Sequence, residues 1–304
     1  MLSINTNTAS MAAVNAINKS SASLSTSMER LATGNRINSS ADDAAGKQIA
    51  NRLTAQSSGM GVALSNIQDA TAMLQTADSM FDEMTDVLGR MKDLATQAAN
   101  GTYSDEDLQS MQDEYDELGQ QMSDMLQNTT YGGTNLFGVS STSNTKTDGL
   151  FQHSVTFQVG AESSDTMTVN ISDQLDTLVG HLSDISTSFR YDQNDPTGKA
   201  GMTGGTELTA SGSANNMITK ISTAMDDVSQ IQSKLGASIN RLNDTAANLT
   251  SMQDNTEVAI GNIMDTDYAT EASNMTQQQV LMQTGITMLK QSNSMSSMVS
   301  SLLQ

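Results

Sequence analysis

The chain has no cysteine and no tryptophan in 304 residues, and only one proline, Pro196. Without cysteine there is no disulfide, no Cys-ligated zinc and no thiol nucleophile. Tyr and Phe number five each, so aromatic residues make up 3% of the chain. A large globular core normally uses more aromatic surface than that. Basic residues are scarce as well: 14 Lys and Arg against 34 Asp and Glu leave a formal charge of -20. A nucleic-acid groove needs concentrated cations to neutralise phosphates, and a polybasic membrane patch needs the same; the composition argues against both. No run of 18 apolar residues is present, so no spanning helix and no membrane insertion are expected. The opening stretch Met1–Asn7 lacks the basic and apolar portions of a secretory signal. What is present is an acidic chain with small aliphatic side chains and 22 methionines, and the near absence of proline leaves long helices uninterrupted.

Apolar spacing gives the organisation. Ser10, Val14, Ile17, Ser21, Leu24, Met28 and Leu31 follow an unbroken 4-3 alternation, the seam of a long amphipathic or coiled-coil helix. Serine weakens that seam, so the helix needs partners. After a break at Gly34–Ser40, with Ser39 and Ser40 as candidate N-caps, a second helix carries Ile49, Leu53, Gln56, Met60, Ala63, Ile67, Ala70, Leu74, Ala77, Phe81, Met84, Leu88, Met91, Ala95 and Ala98 on one line. Leu64, Met73, Met80, Val87 and Leu94 widen this stripe, which predicts several neighbours. Ser104 followed by three acidic residues starts a third helix with Leu108, Met111, Tyr115, Leu118, Met122 and Met125 inward.

The period changes after Asn128. Tyr131–Asn135 and 139–150 read as turn material, and alternation at Val155–Val159 and Met167–Ile171 predicts a β-hairpin. A short helical stripe follows at Leu175, Leu178, Leu182, Ile185 and Phe189, and 191–214 reads as exposed loop. Helical spacing returns at Ile218–Leu249 and continues through Ile263. A last helix carries Tyr268, Ala272, Met275, Gln279, Met282, Ile286 and Leu289, then Leu302 and Leu303. The expected fold is mainly α: long antiparallel coiled-coil helices pairing the two termini, a small β-hairpin region and a short variable central segment.

Two ordered stretches, Arg36–Gly46 with the preceding Leu24–Gly34, and Asp265–Met275 with Ser300–Leu303, resemble bacterial flagellin, the subunit of the flagellar filament. The resemblance covers about the first 170 and last 90 residues. It implies a structural subunit that polymerises into a helical filament for motility, not an enzyme. It places 1–45 and 265–304 in an inner helical domain, 46–171 and 215–264 in a surrounding rod, and 172–214 in a short exposed variable segment. The implied assembly interface comprises Val14, Ile17, Leu24, Met28, Leu31, Met275, Met282, Ile286, Leu289, Leu302 and Leu303. The implied partners are further copies of the chain, the flagellar cap, hook–filament junction proteins, a secretion chaperone and the type III export apparatus, with an extracellular destination.

The resemblance also implies recognition by the animal Toll-like receptor for flagellin through Arg90, Leu94 and Glu114. Here Gly89 replaces a usual glutamine, and Lys92 with Asp93 replaces an Arg-Glu pair. Gln277–Gln279 and Gln304 stand where relatives often carry arginine.

Catalytic readings have little support in the residues. His153 and His181 lie in separate segments without ligand-spaced neighbours. Gly59-Met60-Gly61 sits inside a heptad run rather than after a strand, so it reads as close helix contact or a soft bend rather than a nucleotide loop. Asp192, Asn194 and Asp195 lack the twelve-position calcium pattern. No cofactor or metal is expected. The competing class is a secreted coiled-coil interaction protein such as a hook-junction component, and the dense match at both ends favours the filament subunit.

Overall fold

The computed structural model describes residues 7–138, 149–189, 205–210 and 212–302, with side chains through residue 295 in the last helix. The turn material expected at 139–148 and the loop at 190–204 lie outside the described residues. The helices are α1 Thr8–Thr33, α2 Ala44–Ala98, α3 Asp105–Asn128, α4 Ser172–Ile185, α5 Ser213–Met264 and α6 Tyr268–Leu302. The strands are β1 Thr130–Tyr131, β2 Thr134–Asn135, β3 Val155–Gln158 and β4 Thr166–Val169. Two compact units result: a terminal unit, Met1–Ser58 with Met252–Gln304, and a central unit, Gly59–Ser251.

The central unit holds the apolar core. From Met60 to Ala95 every expected seam residue of α2 is buried, and Met73, Met80, Val87 and Leu94 are buried beside it. Two buried rows on one helix require neighbours on two sides. Tyr115, Met122 and Leu126 of α3, Leu175, Leu178, Leu182 and Ile185 of α4, and Ile221, Val228, Ile231, Leu235 and Leu242 of α5 join them in one cluster. Polar ties at the rim connect the same helices: Gln232 donates to Asp82 at 2.7 Å, and Lys234 to Gln174 at 2.7 Å. The α3 start follows the sequence reading. Ser104 and Asp107 form a reciprocal capping box, satisfying two amide donors of the first turn.

The aromatic residues are few but concentrated. Phe137 meets Phe81 edge-on at 5.1 Å and stacks against Phe151 at 5.5 Å. Phe137 follows a small hairpin that the sequence reading treated as a plain turn. Thr130 pairs with Asn135 and Tyr131 with Thr134, around Gly132 and Gly133 at φ 59° and 83°. Positive φ at both central positions is what a two-residue hairpin turn with the twist of its strands demands. The larger hairpin has the expected strands, with Val155 opposite Val169 and Phe157 opposite Met167. Its connecting loop lies against α2, where Gly59 faces Ala161.

Two expectations change. The second helix starts later than the Ser39/Ser40 caps, at Ala44. Asp43 accepts from the Gly46 amide at 2.9 Å, while Asp42 accepts from the Ser39 amide at 2.8 Å and hydroxyl at 3.0 Å to hold the preceding turn. The expectation of an exposed segment over 172–214 is corrected at both of its described ends. The inward face of α4 is fully buried, as are Leu208 and Glu207. The reason is a polar clamp that carries no hydrophobic signal. Glu207 accepts from the Thr187 amide at 2.6 Å and from Gln112 at 2.8 Å. Gln112 also donates to Asp116 at 2.9 Å and accepts from the Leu208 amide at 2.7 Å. Asp116 accepts from the Gly205 amide at 2.9 Å, and the Tyr115 hydroxyl donates to the Ile185 carbonyl at 2.8 Å. Burial, then the nearby Glu207 and Asp116 charges, push the Tyr115 phenol well above its ordinary range, so it stays a donor. Buried carboxylates are stable here because backbone amides replace the water they lose.

Candidate assembly interface

The terminal unit is built on α1 and α6, which run antiparallel. Asn7 donates to the Ser292 hydroxyl at 3.0 Å at one end, and Arg30 reaches Glu271 at 3.8 Å at the other. Asn7 also caps α1 by accepting from the Ser10 amide at 3.1 Å. Gly34 ends that helix at φ 74°, a left-handed conformation that favours glycine. The two stretches that carry the family resemblance then meet in space. The Arg36 amide donates to Met264 at 2.6 Å, its guanidinium donates to Ile263 at 2.8 Å, and the Thr266 amide donates to Gly34 at 2.9 Å. Ile37, next in sequence to Arg36, is buried.

The facing residues of the pair differ from the expected seam by one position in every heptad. Along α1 the covered positions include Ser10, Ala13, Ile17, Ser20, Leu24, Ser27 and Leu31. Thus 13, 20 and 27 replace 14, 21 and 28. Along α6 they are Glu271, Met275, Gln278, Met282, Gly285, Leu289 and Ser292, so 271, 278 and 285 replace 272, 279 and 286. Small residues explain the shift, because they let the helix backbones approach. A Cβ placed on Gly285 would fall 2.8 Å from Ile17 Cγ1. Ile17, Leu24, Leu31, Met275, Met282 and Leu289 are therefore half-buried on the faces turned to the partner helix, while Val14, Met28 and Ile286 stand exposed. The Leu302 side chain and Leu303 lie outside the described residues.

Apolar surface and charge are partitioned between the units. Among the described residues, Ile37 and Ala50 are the only buried apolar side chains of the terminal unit; all others belong to the central unit. Of the large exposed apolar side chains among the described residues, all but Val62 and Tyr103 belong to the terminal unit, including Met11, Val14, Met28, Val280, Leu281, Ile286, Met288 and Met295. The large exposed apolar side chains are thus concentrated in the terminal unit. The terminal unit has six Lys and Arg against eight Asp and Glu, net -2; the central unit has eight against 26, net -18. The nearly neutral unit is the one that exposes apolar side chains.

Acid should loosen the terminal unit. The Thr270 hydroxyl and the Ala269 amide, donating to the Asp267 carboxylate, hold its pKa below the ordinary 3.8. The Ser39 amide and hydroxyl do the same for Asp42. A carboxyl with a depressed folded-state pKa contributes stability above its unfolded value, and that contribution is lost as pH falls through the folded value. The thermal midpoint should therefore not move on this account between pH 7 and 5, and should fall below about pH 4. Asp267→Asn should flatten that acid limb in circular dichroism melts; an unchanged limb would show that the cap does not contribute.

The remaining singled-out residues lie in the central unit. Arg90 of α2 and Glu114 of α3 form an exposed ion pair at 2.6 Å, whereas Leu94 is only 2% exposed. His181 Nδ1 meets the Asp227 carboxylate, tying α4 to α5, and His153 follows the short 3-10 turn Leu150–Gln152. No helix among the described residues is long and apolar enough to cross a membrane.

Comparison with known proteins agrees with the end-to-end arrangement. The bacterial flagellin N-terminal helical region matches residues 4–142, and the bacterial flagellin C-terminal helical region matches 218–303. Flagellin A of Vibrio anguillarum is 30% identical, with both chains covered in full. Polar flagellin C of Vibrio parahaemolyticus is also 30% identical, again with both chains covered in full. Among solved structures, a putative flagellar hook-associated protein from Vibrio parahaemolyticus has a TM-score of 0.52 at 17% identity, over 74% of this chain and 100% of that one. That likeness speaks to the fold alone. Because both flagellin regions are matched in their places and full-length flagellins align from end to end, the chain belongs to the bacterial flagellins, structural proteins that polymerise into the flagellar filament.

Proposed function

We propose that copies of this chain join mainly through the outer faces of α1 and α6. Val14, Met28 and Ile286 make the contacts between copies, and Ile17, Leu24, Leu31, Met275, Met282 and Leu289 hold the helix pair together. Leu302 and Leu303 are assigned to the same interface by the family resemblance alone. The observation that carries this reading is the partition of apolar side chains: the terminal unit has almost no core of its own and most of the exposed apolar surface. Burying that surface against other copies is its source of stability. In this reading 1–45 and 265–304 form the inner filament domain, and 46–171 with 215–264 form the rod.

The experiment is the double variant Met28→Asp with Ile286→Asp. Unpaired charges at a contact being dehydrated are costly, so seeded filament growth, followed by light scattering, should fall at least about a hundredfold. Both side chains are exposed in the single chain, so the helicity of the unassembled subunit should be unchanged. Normal growth would remove these residues from the interface.

The subunit would reach the filament as a secreted, extracellular protein, exported unfolded through the flagellar type III apparatus with its chaperone. It would be placed between the hook–filament junction proteins and the cap. Arg90 and Glu114 would form the part of the surface offered to the Toll-like receptor of animals. Their mutual ion pair supports this, because a fixed guanidinium presents its remaining donors in a defined direction.

A further inference from the structure

Methionine is distributed between the two units by exposure, not merely by number. In the central unit Met60, Met73, Met80, Met84, Met91, Met122, Met167 and Met217 are buried, and none of its described methionines is exposed. In the terminal unit none of the described methionines is buried. Met288 is 63% exposed, Met11 60%, Met295 58% and Met28 50%, with Met252 also open. All four of the first group sit on α1 or α6. The chain has no cysteine, so among the described residues these thioethers are the most exposed sulfur atoms.

We propose that Met11, Met28, Met288 and Met295 form an oxidative modification site at which hydroperoxides switch the free subunit out of assembly. The step is balanced by the oxidant. The thioether sulfur attacks the OH oxygen of the hydroperoxide, an S–O bond forms as the O–O bond breaks, and that hydroxyl's proton passes to the departing oxygen, which leaves as water from hydrogen peroxide or as the alcohol from an organic hydroperoxide. Sulfur loses two electrons and the peroxide gains them. The sulfoxide is polar and accepts hydrogen bonds, so a face that was apolar must now lose water from a strong acceptor in order to join another copy. The central unit keeps its fold, because its described methionines are buried or partly buried against the core. The modification is reversible by methionine sulfoxide reductases, one for each epimer. Once copies have joined, the same side chains are covered, so the filament resists a dose that disables the free subunit. This inference rests on the assignment of the α1/α6 outer face as the joining surface.

The test treats purified subunit with hydrogen peroxide, locates sulfoxides by peptide mass spectrometry, and measures seeded growth by light scattering. Growth should fall by about tenfold or more, with the four named positions oxidised first and helicity of the central unit retained. Treatment with both sulfoxide reductases should restore it; since the chain has no other sulfur, restoration assigns the loss to methionine. A variant carrying M11L, M28L, M288L and M295L should keep its growth after peroxide. If that variant grows poorly before treatment, the reductase arm and the oxidation rates decide: the four positions should oxidise at least about tenfold more slowly in filaments than in free subunit. Normal growth despite full oxidation at the four positions overturns the proposal, as does loss that the reductases do not reverse, or equal oxidation in filament and subunit. The Met28→Asp/Ile286→Asp variant separates the two ideas. If it blocks growth while oxidation does not, the joining surface stands and the oxidative switch falls; if neither matters, the surface assignment itself has failed.

Discussion

A chain lacking residues 1–31 should retain a folded Gly59–Ser251 unit and fail to extend filament seeds. Nothing in the deleted stretch belongs to the apolar core of the central unit, whose members begin at Met60. The deletion removes α1 up to its last turn, and with it the partner of α6. Asn7, Ser10, Ile17 and Arg30 no longer meet Ser292, Asn293, Gly285 and Glu271. An isolated 35-residue α6 with exposed Val280, Leu281 and Met288 has little to hold it in place, because most helix stability in water comes from a packed face. Far-UV circular dichroism should show a loss larger than the deleted helix alone, while the cooperative melt of the central unit keeps its midpoint. Seeded growth should be undetectable by light scattering. Normal extension of seeds by the truncated chain would refute the role given to α1.

Removal of a single ring should have the largest effect on the central unit. Phe137→Ala is expected to lower its stability by about 3–5 kcal/mol, a large share of the roughly 5–15 kcal/mol available to a domain. Phe137 is fully buried and contacts both Phe81 and Phe151, so the lost ring leaves a cavity and also two unmatched aromatic faces. The site cannot collapse easily. Leu136 is held by hydrogen bonds to the Thr129 carbonyl at 3.0 Å and from the Phe151 amide at 2.9 Å, fixing the backbone on either side of the gap. Urea denaturation of the unassembled subunit should show the shift in midpoint. Tyr103→Ala, at an exposed position, serves as the comparison and should change stability by less than about 0.5 kcal/mol. Equal effects of the two substitutions would show that the aromatic cluster is not where the unit derives its cohesion.

The parts of this fold that hydrophobic spacing could reveal were the parts held by large side chains. Met60, Ile67, Leu74, Phe81, Leu88 and Met91 advertise a buried face because each buries substantial apolar area, and the structure places all of them inside. Val155–Val159 and Met167–Ile171 likewise announced their hairpin by alternation. In the terminal unit the same method found the helices but selected the outer face. Ala13, Ser20, Ser27 and Gly285 carry little hydrophobic signal, yet they sit between α1 and α6 because they are small. Val14, Met28 and Ile286 carry the stronger signal and point away. The clamp on 205–208 was invisible for another reason. Glu207 and Asp116 are carboxylates, and only the amides that receive them, spread across three separate stretches of chain, make their burial tolerable.

With the proposed joining surface, the uneven division of charge should limit how readily filaments grow, because each copy that joins through its nearly neutral terminal unit brings along a central unit with a net charge of -18. Successive copies therefore do electrostatic work against those already present, and the work accumulates along a polymer rather than within one molecule. Its range is set by the counterions: about 30 Å at 0.01 M salt, but about 10 Å at 0.1 M. The critical concentration for growth should accordingly drop as salt is added, even though the apolar contacts themselves change little. Dilute, low-salt medium thus keeps subunits apart by long-range repulsion, whereas salty surroundings leave the short-range attraction to decide.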